Sequence, residues 1–129
     1  MRDFRKYRIW KEAISITNDI YSLTEQFPVK ETYALSNQMQ RAAVSIASNI
    51  AEGASRDSVI EFAHFLEIAI GSAFEVETQL TIAYQRNYIS AEKFQKIVSS
   101  LQEEEKGINT FIQTLKQKPT ANSQQPTAE

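Results

Sequence analysis

The sequence predicts an all-α protein, an up-down-up-down antiparallel four-helix bundle, and three observations carry that prediction. Glycine and proline are scarce, at three residues each in a chain of 129. Runs of alternating β-branched residues, which would mark strands, are missing. Apolar residues instead recur at steps of three and four through four stretches, and the connections between them are short enough for antiparallel neighbours.

The first helix is expected at about residues 7 to 26. Trp10, Ala13, Ile14, Thr17, Ile20, Tyr21 and Thr24 form its stripe, and Pro28 disfavours helix at the residue before it. The second is expected to start near Thr32 and to pack through Leu35, Met39, Ala42, Ile46, Asn49 and Ile50. Gly53 should end it, as the residue that best tolerates a left-handed conformation after a helix. In the third, Ser58 and Glu61 have the spacing of a capping box, and the helix should run to about Gln85. A turn at Asn87 to Ser90 leads to the fourth, capped by Ser90 and packed through Phe94, Ile97, Val98, Leu101, Ile108, Phe111, Ile112 and Leu115. The bundle thus occupies residues 1–118. Residues 119–129, PTANSQQPTAE, are too polar to offset their ordering entropy and read as a disordered tail.

Composition narrows the function classes. The chain contains no cysteine, which removes disulfides, thiolate metal sites and cysteine nucleophiles and fits a reducing compartment. The N-terminal residues lack the apolar core of a secretory signal, and no stretch is apolar enough to span a bilayer, so a cytoplasmic protein without membrane contact is expected.

The segment QMQRAAVSIASNIAEG carries a polar ridge, Gln38, Arg41, Ser45, Asn49 and Glu52, along one edge of its helix. In the third helix, Glu77 falls on the side of Leu66 and Leu80, while Glu75 and Gln79 lie on another edge. A buried carboxylate must meet a cation or amide, or stay protonated, and Arg41 is the expected partner of Glu77. Glu75 and Glu77 with Ser45, Asn49 and Ser72 have the residue types for acid and base work, yet no nucleophile has an adjacent base. The set is therefore assigned to a structural polar network, and an enzyme would require Glu75 or Glu77 open to a pocket.

His64 and Glu67 stand three apart, but one histidine cannot build the paired motif of a di-iron bundle. Glu103, Glu104 and Glu105 with Lys106 read as a solvated helix face. There is no glycine-rich phosphate cradle and no serine elbow, so neither metal nor cofactor is expected.

Val59, Phe62, Leu66, Ile70, Ala73 and Leu80 form the inward stripe of the third helix, while Phe65, Ile68, Phe74 and Ile82 point off it. Either a central helix buries more than half its surface, or a homo-oligomer covers the excess.

Three blocks, DFRKYRIWKEA, YALSNQMQRAAVSIASNIAEG and EFAHFLEIAIGSAFEVETQL, together resemble the bacterial 23S rRNA-intervening sequence proteins, across nearly all of residues 3 to 115. That family is similar in fold to the accessory variability proteins of diversity-generating retroelements, and both are associated with five-fold rings. The resemblance implies a homopentamer, no enzymatic activity and, by common supposition, nucleic-acid binding. Ala47 stands where many members have proline, and Tyr7 where leucine is common. Without that proline the second helix should run straighter.

A net charge of −2 argues against a strongly basic polyanion binder. Even so, Arg2, Arg5, Lys6, Arg8 and Lys11 crowd the start of the chain beside Phe4, Tyr7 and Trp10, a combination able to neutralise phosphates and stack a base. The competing reading places Trp10 in the core and leaves the cations merely solvated. Arg56 and Arg86, near loops, would extend a patch. The expected function is RNA or DNA binding by a non-enzymatic oligomer; the alternative is a ring-forming module that engages a protein partner, as the retroelement accessory proteins suggest.

Overall fold

The computed structural model describes residues 2–117, which form four α-helices in an up-down-up-down antiparallel bundle. Helix α1 spans Arg8–Thr24, α2 Leu35–Ala54, α3 Val59–Gln85 and α4 Ala91–Lys116, with short 3-10 turns at Phe4–Lys6 and Val29–Glu31. α2 packs on both α1 and α3, and α3 on α4, while α1 and α4 close the ring with the sparsest packing. No helix among the described residues is long and apolar enough to cross a membrane. The tail expected at 119–129 lies outside the described residues.

The buried stripe of α1 is Ile9, Ala13, Ile16, Ile20, Leu23 and Thr24: Ala13, Ile20 and Thr24 are buried as expected, while Ile9, Ile16 and Leu23 replace Trp10, Ile14, Thr17 and Tyr21. Ile14 and Tyr21 are consequently exposed. The isoleucine series continues into buried Phe27, whereas Trp10 packs at the margin, edge-on to Phe4 with ring centroids 5.2 Å apart.

Helix α2 begins later than expected because the chain first makes the Val29–Glu31 turn, and the Glu31 carboxylate then accepts from the Leu35 N–H at 3.3 Å. It runs unbroken through Ala47 and also through Gly53, which is buried and helical rather than left-handed. The glycine serves packing: a Cβ there would lie 2.8 Å from Phe65 Cβ and 2.9 Å from Phe62 Cδ1. Close approach of α2 to α3, not chain reversal, explains it.

Helix α3 starts where Ser58 accepts from the Glu61 N–H at 3.2 Å. It stops at Asn87, whose φ of 64° is left-handed. There the Tyr88 N–H reaches the Ala83 carbonyl at 2.9 Å and the Asn87 N–H reaches Tyr84 at 3.0 Å, the paired bonds of a Schellman cap. Ser90 then caps α4 by accepting from Lys93 N–H at 3.2 Å.

Phe62 of α3 is the hub of the core at one pole, stacked with Tyr7 and edge-on to Phe111 of α4. Burying one such ring contributes ~2–3 kcal/mol. Tyr7 is so enclosed that burial pushes its phenol up to about 12.

Candidate functional site

The five N-terminal cations gather at the pole where α1 begins and α2 ends, but the structure divides them. Arg2 turns inward: its Nη1 donates to the carbonyls of Arg56 and of Ala54, the latter at 3.4 Å, and its guanidinium sits 4.8 Å from the centroid of the Phe62 ring. It caps the carbonyl end of α2, where a cation complements the helix dipole. Such a residue is committed to the fold, so the expected five-membered phosphate set loses Arg2. Arg8 lines a cleft of about 360 Å³ between α1 and α4, among Glu12, Glu103 and Glu104. Arg5 pairs with Asp3 at 3.2 Å and lies over Phe4. Lys6 and Lys11 stand exposed.

The aromatic half of the cluster is committed too. Tyr7 is buried, and Phe4 and Trp10 are half-buried against one another and the core. Arg56, at the same pole, bonds Glu52 at 3.2 Å and lies over Phe65. Arg86 is at the other pole, where its Nε donates to the Tyr88 hydroxyl, which in turn donates to Glu31 at 2.8 Å. That hydroxyl bond, partly opposed by desolvation, holds the Glu31 carboxyl below its usual range.

The polar ridge of α2 divides in the same way. Ser45 meets Ser72 of α3 with oxygens 2.8 Å apart, and Asn49 Nδ2 donates to the Ser45 carbonyl at 2.8 Å and to its hydroxyl at 2.9 Å. These small side chains satisfy each other where α2 and α3 approach. Gln79 Nε2 donates to Glu75 at 3.4 Å on the same edge of α3. Glu52 turns to Arg56, and Gln38 and Arg41 are exposed.

Arg41 does not reach Glu77. It falls about 200° round the helix from buried Met39, close to the side opposite the core. Glu77 lies on the other edge of α3, opposite Glu105 of α4. The two acids line a groove of about 410 Å³ with Phe74, Thr78, Thr81 and Gln102. Burial first, then the charge and hydrogen bonding of Glu77, push the Glu105 carboxyl up to about 7, well above the usual carboxylate range.

Glu77 therefore does open onto a groove, the condition set for catalysis. The residues around it supply no activated nucleophile: Thr78 and Thr81 donate to the carbonyls of Phe74 and Glu77, and the serine and asparagine trio is on the far edge of α3. No group of three or more acidic, histidine or cysteine side chains among the described residues is placed to hold a metal. His64 is exposed and edge-on to Phe65.

The acidic run of α4 is not a solvated face. Glu103 and Lys106 are exposed, but Glu104 is 2% exposed. The steps from Ile97 to Leu101 and on to Ile108 leave position 104 as the missing member of the core stripe. That gap was visible in the sequence, and the charge masked it.

Exposed apolar side chains concentrate on α3. Ile60, Phe74 and Ile82 share its outward face, at 82%, 55% and 44% exposure, with Ile68 beside them. Val59 and Ile70, expected within the inward stripe, sit at its margin.

The sequence matches the 23S rRNA-intervening sequence protein family over residues 5–110. The fold is similar to the crystal structure of a protein of unknown function from the S23 ribosomal protein family of Bacteroides thetaiotaomicron, with a TM-score of 0.75 and 24% identity. The alignment covers 81% of this chain and 95% of that one. Comparison with curated proteins finds no relative. Since the family match covers most of the helical bundle, the chain belongs to the 23S rRNA-intervening sequence protein family.

Proposed function

We propose that this protein is a non-enzymatic, self-assembling bundle of the cytoplasm that uses α3 to build a homo-oligomer, a pentameric ring by family resemblance, and presents its basic pole to nucleic-acid phosphates. The observation that carries the reading is the outward face of α3. Ile60, Phe74 and Ile82 are large apolar side chains exposed along one helix, a surface that a lone soluble bundle has no reason to leave to water. A ring would repeat Lys6, Lys11 and Arg5 around its rim. Weak single contacts then add through multivalency, which offsets the overall acidic charge. Backbone contacts of this kind bind nucleic-acid phosphates without reading bases. The family name, with its link to ribosomal RNA, favours RNA as the polyanion.

Light scattering of the intact chain at micromolar concentration, with fluorescence anisotropy of short RNA and DNA at two salt concentrations, tests both halves. An oligomer whose RNA affinity falls with salt, and falls further on charge reversal at Arg5, Lys6 and Arg8, supports the reading. A monomer refutes the assembly half, and binding unchanged by charge reversal refutes the phosphate half.

A protein partner is the second reading, and the loss of Arg2 to the fold favours it, since fewer cations remain for phosphates. It calls for partner binding that tolerates salt and is indifferent to charge at Lys6.

A further inference from the structure

The α3/α4 groove pairs an apolar wall with a carboxylate pair that has no cation of its own between the acids. Ile70 and Phe74 supply the wall, and Glu77 and Glu105 face each other beside it. One oxygen of Glu105 is enclosed without a hydrogen-bond donor. Lys106 lines the adjoining groove from α4 and is the one charged neighbour there; Thr78, Thr81, Gln102 and Asn109 are neutral. What the groove lacks is a planar cation able to donate to both acids at once, the role to which a guanidinium is suited.

Register identifies a donor. The Ser45 and Ser72 contact sets antiparallel α2 against α3, so Arg41, a turn earlier on α2, is level with residue 76 and adjacent in height to Glu77. Thr17, which donates to the Ala43 carbonyl, fixes α1 in the same frame. Within a turn of that height α1 and α3 carry no lysine or arginine, α2 carries Arg41 alone and α4 carries Lys106 alone. Arg41 is exposed and stands on another side of the bundle from the groove. In a ring whose bundles lie along the rotation axis, symmetry carries each residue to the same height on the next copy, and two different surfaces meet at every joint.

We propose that the α3/α4 groove docks a second copy of this chain, whose Arg41 enters between Glu77 and Glu105. The inference rests on the self-assembly reading and names the contact that closes it. Insertion of the guanidinium displaces the proton that Glu105 retains in the free groove, so each joint formed near or below neutrality releases up to one proton. Assembly then strengthens as pH rises through the range in which the free groove holds that proton, and weakens as pH falls.

The test is light scattering and sedimentation of the intact chain from about pH 5.5 to about 8.5, a span chosen to bracket the titration of Glu105. Below about 7 the dissociation constant of a joint should fall by up to ~10-fold per pH unit, levelling above it. Glu105→Gln should flatten that profile while leaving the chain assembled. Arg41→Ala should weaken the wild-type joint ~10-fold or more and cost nothing further in a Glu77→Gln/Glu105→Gln background, with helical circular dichroism confirming that every variant is folded. A pH-independent oligomer, or an equal cost of Arg41→Ala in both backgrounds, overturns the groove contact and leaves self-assembly standing. A monomer at every pH overturns self-assembly itself and gives the α3 face to a different partner.

Discussion

Gly53→Ala is expected to destabilise the bundle, although alanine is the better helix former. Intrinsic propensity alone would favour the change by ~1 kcal/mol in a helix interior. Against that, the added methyl would lie 2.8 Å from Phe65 Cβ, 2.9 Å from Phe62 Cδ1 and 3.2 Å from the Phe62 carbonyl oxygen. None of these atoms can step aside cheaply. Phe65 Cβ is fixed to the backbone of α3, and the Phe62 ring is held between Tyr7 and Phe111. The helices must therefore separate, and overpacking of this kind costs ~1–3 kcal/mol, or more where backbone has to move. A net loss of up to ~2 kcal/mol remains, which for a domain of this size lowers Tm by up to about 8 °C. Gly71→Ala is the control, because nothing lies within 4 Å of its added Cβ. There the propensity gain should survive as ~0.5–1 kcal/mol of added stability. Thermal and urea melts followed by circular dichroism, at a concentration where the chain is dissociated, read both. If Gly53→Ala stabilises as much as Gly71→Ala, close helix approach is not the reason for Gly53.

Further outcomes follow from single residues. Glu105 has its carboxyl pushed up to about 7 in the fold against an ordinary value of 4.5, so between these values the folded chain holds a proton that the unfolded chain has released. Stability should therefore decline as pH rises through that window; Glu105→Gln should gain ~1 kcal/mol at about pH 8 and nothing at about pH 4, the full shift being discounted because the group is only partly enclosed. Arg2→Ala should cost ~1 kcal/mol in urea unfolding by removing the α2 cap and the Phe62 stacking, while lowering RNA affinity less than Lys6→Glu does. Ser58→Ala, which removes the α3 cap, should cost ~1 kcal/mol in the same assay. Charge reversal at Lys6 and Lys11 together should reduce the salt dependence of log affinity by ~2, about one for each phosphate no longer neutralised.

The helices, their order and the serine caps were legible because periodicity and capping are local. What escaped depended on which way a side chain faces. Arg41 is on a polar ridge by spacing, but a spacing of three and four fixes an edge without saying which neighbour it meets, and that edge meets α3 at Ser45 while it faces solvent at Arg41. In α1 the expected stripe ran to one side of the buried one, sharing Ala13, Ile20 and Thr24 with it, because Trp10 suggests a face that Ile9 and Ile16 in fact occupy. Gly53 looks like a terminator to any local rule, since only the neighbouring helix reveals the contact that demands it. Glu104 shows the opposite failure: it was read with its neighbours as solvated because of its charge, although its spacing from Leu101 and Ile108 matches the core stripe. The basic cluster could be seen as a group, yet Arg2 was placed among the phosphate-binding cations because its acceptors lie more than fifty residues away in sequence.

The sparse closure between α1 and α4 gives the bundle the mechanics of a book. Its spine is α2 with α3, bound by the Gly53 approach and the Ser45 hydroxyl link, and its free edge is the line where Arg8 and Glu104 border a cleft. Because Arg2 fastens one end of that spine and Tyr88 with Glu31 the other, thermal opening is expected along the free edge rather than at the tips. The covers should part first, and the page they would expose is the one that carries the buried Glu104.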